Sequence, residues 1–336
     1  MFTKQYFLED INTFTVKENS ILFKNNNDDL FFNNLEIDKD VRSFFNCNEN
    51  IIFFKNKFTN VYSLQEKKII DSINGSLFFD TYNNEDLIVV QKIDGKRLIS
   101  KINFNCSSFG LIDEIGCFNI ENYFRDTNNN LFFSNNANLQ SLSLQSYNLN
   151  WEISLDHYGE IRKILGIKEN KLWISMYRGG NDKIKNSLIA LNIDSGHIVY
   201  EKNNDYDTSD WFIELISEHD SILSIYGKIS TTPDDSPLVE INAITGEIIR
   251  NQKIESLYNE NLKIGLWKVL KDKIYFTANK DAFNGNHIGV LDYDTLQILW
   301  VTKIDNMKGT FKDLQITENK IYALDTANQL HIYEKK

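Results

Sequence analysis

Apolar residues along this chain come in short runs of three to six, separated by polar turns, and the runs repeat. Leu188-Ile-Ala-Leu-Asn-Ile-Asp-Ser-Gly-His-Ile-Val-Tyr-Glu201 is rewritten as Leu238-Val-Glu-Ile-Asn-Ala-Ile-Thr-Gly-Glu-Ile-Ile-Arg250. It returns as Ile288-Gly-Val-Leu-Asp-Tyr-Asp-Thr-Leu-Gln-Ile-Leu-Trp300, and an earlier copy runs from Leu139 to Trp151. Leu142, Leu191, Ile241 and Leu291 fall in one column, at separations of 49, 50 and 50 residues. A period of that size marks a repeat architecture.

Each copy predicts two strands and a tight turn. The flanking runs are short and β-branched or aromatic, as strands prefer. Gly196 and Gly246 supply the positive φ that a hairpin turn asks for, and Asp194 and Thr245 are placed to bond nearby backbone. The copy ending at Trp300 has Leu296 in the column of Gly196 and Gly246, so its turn is expected to close differently.

Upstream runs complete a four-stranded unit. Residues 211–217, 221–226, 238–241 and 247–250 read as four consecutive strands, with matching sets at 160–200 and 264–300. The chain ends on three strands, within 311–316, 320–325 and 329–333. Gln5-Tyr-Phe-Leu8 is the expected fourth, because an unpaired sheet edge invites aggregation. The first 130 residues fit the period poorly. Residues 51–77 are too short for a full unit at that spacing, and 105–130 read as one long connection.

The hairpin resembles the repeat of the PQQ-like (quinoprotein-type) β-propeller family. The matches are Ala190-Leu191 with Ser195-Gly196, Ile241-Asn242 with Thr245-Gly246, Val290-Leu291-Asp292 with Trp300, and Ala323-Leu324-Asp325. The resemblance runs from about residue 130 to the end. It implies an all-β propeller, expected as seven four-stranded antiparallel blades with six or eight as alternatives. Residues 1–336 then form a single domain, its closing blade built from about 2–9 and 308–335. The family includes dehydrogenases, assembly scaffolds and binding proteins, so the fold alone assigns no function.

Composition narrows the field. Apolar residues at 42% with 23 phenylalanines and 15 tyrosines provide for a packed core. No apolar run approaches the ~18–20 residues of a membrane span. The first ten residues lack a charged start, an apolar stretch and a cleavage site, so the expectation is cytoplasmic. Cys47, Cys106 and Cys117 are odd in number and widely spaced, which reads as free thiols. A net charge of −11 opposes a nucleic-acid footprint, which would be basic, and permits a basic protein partner.

Catalytic signatures are missing. His157, His197, His219, His287 and His331 form no HExxH or i, i+4 pair, and no GxSxG, P-loop or GxGxxG occurs. Asp292-Tyr-Asp294 lacks the spacing of a calcium loop. A dehydrogenase of the resembling family would need an export signal, a calcium-binding set and usually a cysteine pair, and none is recognisable. No cofactor, metal or catalytic residue is therefore assigned, and the chain is read as a non-enzyme.

What remains is loops, where recognition sits when a rigid scaffold carries it. Three long connections between second and third strands, 177–186, 227–237 and 278–287, flank the acidic segment from Glu201 to Trp211. The expected partner-binding residues are Tyr177, Arg178, Asn181, Asp182, Asp205, Tyr206, Asp207, Asp210, Trp211, Asp234, Asp235, Asn284 and His287. Acidic groups around aromatic anchors suit a basic protein surface. The function expected is protein binding without catalysis, in particular as an immunity protein for a bacterial secreted or contact-delivered toxin. The alternative is a sugar-type ligand site or enzyme in the central channel.

Overall fold

Apart from 211–217, the strands predicted from the repeat are present in the computed structural model, which describes residues 2–17, 20–47, 49–77, 86–93, 96–104, 109–118, 122–126, 128, 130–146, 148–178, 185–203, 222–226, 237–280, 285–305, 307 and 309–335. These residues form eight antiparallel sheets, seven of four strands and one of three. The sheets come from 11–38, 43–74, 76–118, 122–154, 160–203, 222–253 and 263–303, and from 311–335 joined by 2–8. Within each sheet consecutive strands are neighbours, the meander of a propeller blade. The 222–253 sheet is the one with three described strands; the strand expected at 211–217 lies outside the described residues.

Of the blade numbers expected, seven with six or eight as alternatives, the eight sheets of the described residues match the alternative of eight. The period was taken from copies with long loops, and the N-terminal sheets lack them. Ser43–Cys47, Asn50–Lys55, Phe58–Ser63 and Lys68–Asn74 make a complete blade in the stretch judged too short. Its central hairpin pairs Lys55 with Phe58 across two residues, Asn56 and Lys57, both at positive φ (50° and 72°). Such a turn matches the twist of the strands it joins. The supposed long connection at 105–130 holds two strands, Phe109–Phe118 and Asn122–Arg125.

Closure follows expectation. Phe2–Leu8 lies antiparallel to Leu330–Lys335, from Phe2 opposite Lys335 to Leu8 opposite Leu330. Phe2 is buried, its ring 5.3 Å from Trp300 and 6.2 Å from Tyr275.

Two compact units divide the chain: Met1–Leu77, Phe104–Gly110 and Ile254–Lys336 in one, Phe78–Asn103 and Leu111–Lys253 in the other. In the first, the opening strands of successive sheets, Lys263–Leu270, Phe311–Ile316, Ile11–Lys17 and Ser43–Cys47, touch in series. Gln315 ties two of them as a backbone unit would. Its amide nitrogen donates to the Phe14 carbonyl (2.8 Å) and its oxygen accepts from the Val16 N–H (3.0 Å). Gln315→Leu strands a donor and an acceptor, each at about 1–3 kcal/mol if left dry. We expect a loss of about 2–4 kcal/mol by urea unfolding; a loss below 1 kcal/mol would mean that water replaces the amide.

In the second unit, blade-to-blade packing is set by one aromatic and one turn. The Trp151 indole N–H donates to the Ile193 carbonyl at 2.7 Å, and its ring lies against Gly196. The Tyr200 ring lies in the same way against Gly246. Both glycines have positive φ, 69° and 77°. Lys171 adds a pin, its ammonium donating to the Ala243 carbonyl and to that of Ile244 (2.8 Å).

The repeat turns are capped from their first residue. Asn192 Oδ1 accepts from the N–H groups of Asp194 and Ser195, Asn242 Oδ1 from those of Ile244 and Thr245, and Asp292 Oδ1 from that of Thr295. This is the Asx arrangement that mimics a backbone turn. The turn lacking glycine closes like the others, against expectation. Leu296 takes φ 55°, its N–H bonds the Asp292 carbonyl at 2.9 Å, and its side chain is buried.

Bulges recur at one place. Register slips in the outermost pair at Ser141/Leu142, Ala190/Leu191, Glu240/Ile241 and Val290/Leu291, and in N-terminal sheets at Leu30/Phe31 and Val61/Tyr62. A bulge twists the outer strand and spoils its edge for pairing with another chain. Val199, Ile249 and Leu299, the residues skipped in three of these registers, are all exposed.

Burial also sets the response to alkali. Tyr333, in the core of the closing blade, is pushed up from 10.0 to about 12, and Tyr275 is raised by the same cause. Between those values the unfolded chain has released a proton that the folded chain retains, so stability falls as pH rises. It is complete below pH 10 and lost through pH 12, by about 3 kcal/mol for Tyr333. Urea midpoints from pH 9 to 12 should fall steeply in the native protein and less so in Tyr333→Phe; identical slopes would place the titration elsewhere.

Candidate interaction surface

In an antiparallel blade, second-to-third hairpins and fourth-to-first connections leave from the same end of the sheet. In the 160–203 blade that end is formed by Tyr177 and Arg178, by Glu160, and by Glu201. The 3-10 turn Asp156–Tyr158 crosses it on the way in from the preceding blade. Gly159 makes the crossing possible: its φ is 101°, and a Cβ there would lie 2.3 Å from the Tyr177 carbonyl oxygen.

The turn is fixed at both sides. The Tyr158 hydroxyl donates to Glu201 Oε2 at 2.7 Å, and Arg178 Nη1 donates to the His157 carbonyl at 3.4 Å. The His157 and Tyr158 rings meet edge to face, 5.2 Å apart at 79°. Asp156 accepts from the Ser154 hydroxyl at 2.6 Å. His157, Arg178 and Glu201 are exposed and Tyr158 is half-buried. The hydrogen bond to Glu201 raises the Tyr158 phenol above its ordinary range, with burial adding to it.

Of the expected contact residues, Tyr177 and Arg178 fall on this surface. Asn181, Asp182, Asp205, Tyr206, Asp207, Asp210, Trp211, Asp234, Asp235 and Asn284 lie outside the described residues. His287 is corrected: its ring is buried at 7% exposure, where Ala278 and Lys303 are its strand partners. Burial, then Lys280 and Lys303, lower its pKa, so the imidazole is neutral at pH 7. It offers a partner little surface. His157 and Tyr158 were missed by sequence reasoning, which took Glu201 only as the start of the acidic segment; the signal for the first two was a glycine following an aromatic in the link between two copies.

His331 has a structural environment. It is buried, with Nε2 2.9 Å from Asp325 Oδ2, and Asp325 also accepts from the Gln329 N–H at 2.8 Å, which holds the last hairpin. Among the described residues no group of three or more His, Cys, Asp or Glu is placed to hold a metal ion.

Blades of four antiparallel strands, bulged at their outer edges and closed by joining the two ends of the chain, define a β-propeller. The chain is similar in fold to the crystal structure of BamB from Moraxella catarrhalis, with a TM-score of 0.57 and 8% identity over the full length of both chains. No protein-family model matches the sequence, and no curated protein matches it.

Proposed function

We propose that this chain is a protein-binding propeller without catalytic activity, which recognises its partner at the blade end formed by Tyr158, Tyr177, Arg178 and Glu201. The observation that carries this reading is the ordered cluster there. Tyrosine and arginine are the residue types that dominate interface energetics, and here strand ends and side-chain hydrogen bonds hold them in place before any partner arrives. The outer-strand bulges favour loops over sheet edges as the recognition element. The acidic stretch Asp205, Asp207 and Asp210 follows directly on Glu201 in the sequence. Negative charge beside aromatic anchors speeds capture of a basic protein.

The specific role that fits is an immunity protein in a bacterial cytoplasm, binding a basic toxin domain one to one. Co-expression with the product of the adjacent gene, followed by size-exclusion chromatography, tests it. A stoichiometric complex that protects cells from the toxin is the expected result. Absence of a complex at micromolar concentration overturns the role.

A further inference from the structure

We propose that His287 is an acid-operated latch at one end of the 263–303 blade: neutral, it seals the last rungs of three strands, and protonated, it opens them. His287 begins the third strand of that blade, His287–Asp292, and is the last rung on both of its sides, opposite Ala278 and opposite Lys303. Its ring is buried, and its Nδ1 has no hydrogen-bond partner. The chain around it is closely seated. A Cβ at Gly285 would stand 2.3 Å from Asn279 Oδ1, and the Ile304 N–H donates to the Asn286 carbonyl at 2.7 Å.

Only the neutral ring suits this place. A neutral imidazole carries one N–H, whereas an imidazolium carries two and a full charge. Protonation therefore leaves Nδ1 as a buried N–H with no acceptor, in a ring that has lost its hydration. Among the described residues the charges that act on the ring are both positive: Lys280, just past the second strand Lys273–Asn279, and Lys303, across the outer ladder. Lys263, opposite Asn279 on the inner strand, is a third cation at this end. The carboxylates of the flanking links, Glu260 and Asp305, are exposed. Burial first, then the two ammoniums, lower the pKa of the closed form below 6.5, the value an opened strand end recovers. Between those values the opened form binds a proton that the closed form does not. Closure is therefore complete above pH 6.5 and is lost as pH falls through that window, the opening constant rising by up to about tenfold per pH unit.

The test is amide hydrogen exchange of the full chain, read by mass spectrometry at about pH 7.5 and about pH 5.0 and corrected for the intrinsic rate at each. A peptide covering 285–292 should lose protection by about threefold or more at the lower pH, while one covering the strand Phe311–Ile316 should not follow it. In His287→Gln, which puts a neutral amide in place of the imidazole, the loss at 285–292 should vanish. In the Lys280→Gln, Lys303→Gln double variant it should shrink, because only burial then holds the pKa down. Both lysines are exposed, so this variant decides the matter should His287→Gln fail to fold. In the native protein the His287 imidazole should titrate by NMR with a midpoint below 6.5. An equal loss in His287→Gln, an equal loss at 311–316, an unchanged loss in the lysine variant, or a midpoint at or above 6.5 would each overturn the latch.

Discussion

Deletion of residues 2–8 should leave the protein unable to hold its native fold at 37 °C. The strand they form is the outermost of the closing blade, and its removal uncovers the paired edge of Leu330–Lys335. It also removes Phe2 from its contacts with Trp300 and Tyr275. Burying one phenylalanine contributes about 2–3 kcal/mol, and each ladder hydrogen bond about 1 kcal/mol net. The sum, on the order of 5 kcal/mol, is comparable to the whole stability of a typical domain. The measurement is a thermal melt with light scattering, in which the truncated chain should unfold many degrees lower and aggregate through the new edge. A synthetic peptide of residues 2–8 should raise the midpoint again, as donated strands do elsewhere. An unchanged melt would show that the closing strand is dispensable.

The second large effect is expected from a single methyl group. At Gly196 a Cβ would stand 2.7 Å from Trp151 Cδ2 and 2.8 Å from Cε3, closer than packed carbon atoms come. Overpacking of this kind costs about 1–3 kcal/mol, and alanine at φ 69° adds about 1 kcal/mol. Gly196→Ala should therefore lose about 2–4 kcal/mol in urea unfolding. Leu296 separates the two causes: it takes φ 55° with a leucine side chain, so the dihedral alone is tolerated in this turn. If the ring is the cause, Gly196→Ala made in a Trp151→Leu background should cost at least about 1 kcal/mol less than in the native chain. Strict additivity would assign the loss to the backbone.

The choice of eight blades over seven shows what periodicity leaves undetermined. A repeat announces itself by spacing, and spacing is set by loop length as much as by strands. From 160 onward the connections between second and third strands are long and recur, and the columns through Leu142, Leu191, Ile241 and Leu291 can be read directly. In 43–74 the same four strands are joined by turns as short as Asn56-Lys57, so the blade is present without the period. The turn caps were half legible: Thr245 Oγ1 accepts from the Glu247 N–H as the sequence suggested, Asp194 instead accepts from the Asn170 side-chain amide, and the turns are also capped by Asn192 and Asn242 at their first residue.

The surface cluster was less legible than the fold, because its members are far apart along the chain. Tyr158 and Glu201 are joined only once the 160–203 blade has folded back on itself, and Arg178 reaches His157 only because Gly159 lets the chain pass over Tyr177. The sequence by itself determined an all-β repeat, its hairpins and the joining of its two ends, since alternation and turn chemistry are local properties that every copy states again. The tertiary structure alone decided the number of blades, the burial of His287 and the company of Tyr158. Those depend on which distant residues meet when the blades pack, and no local pattern encodes that meeting.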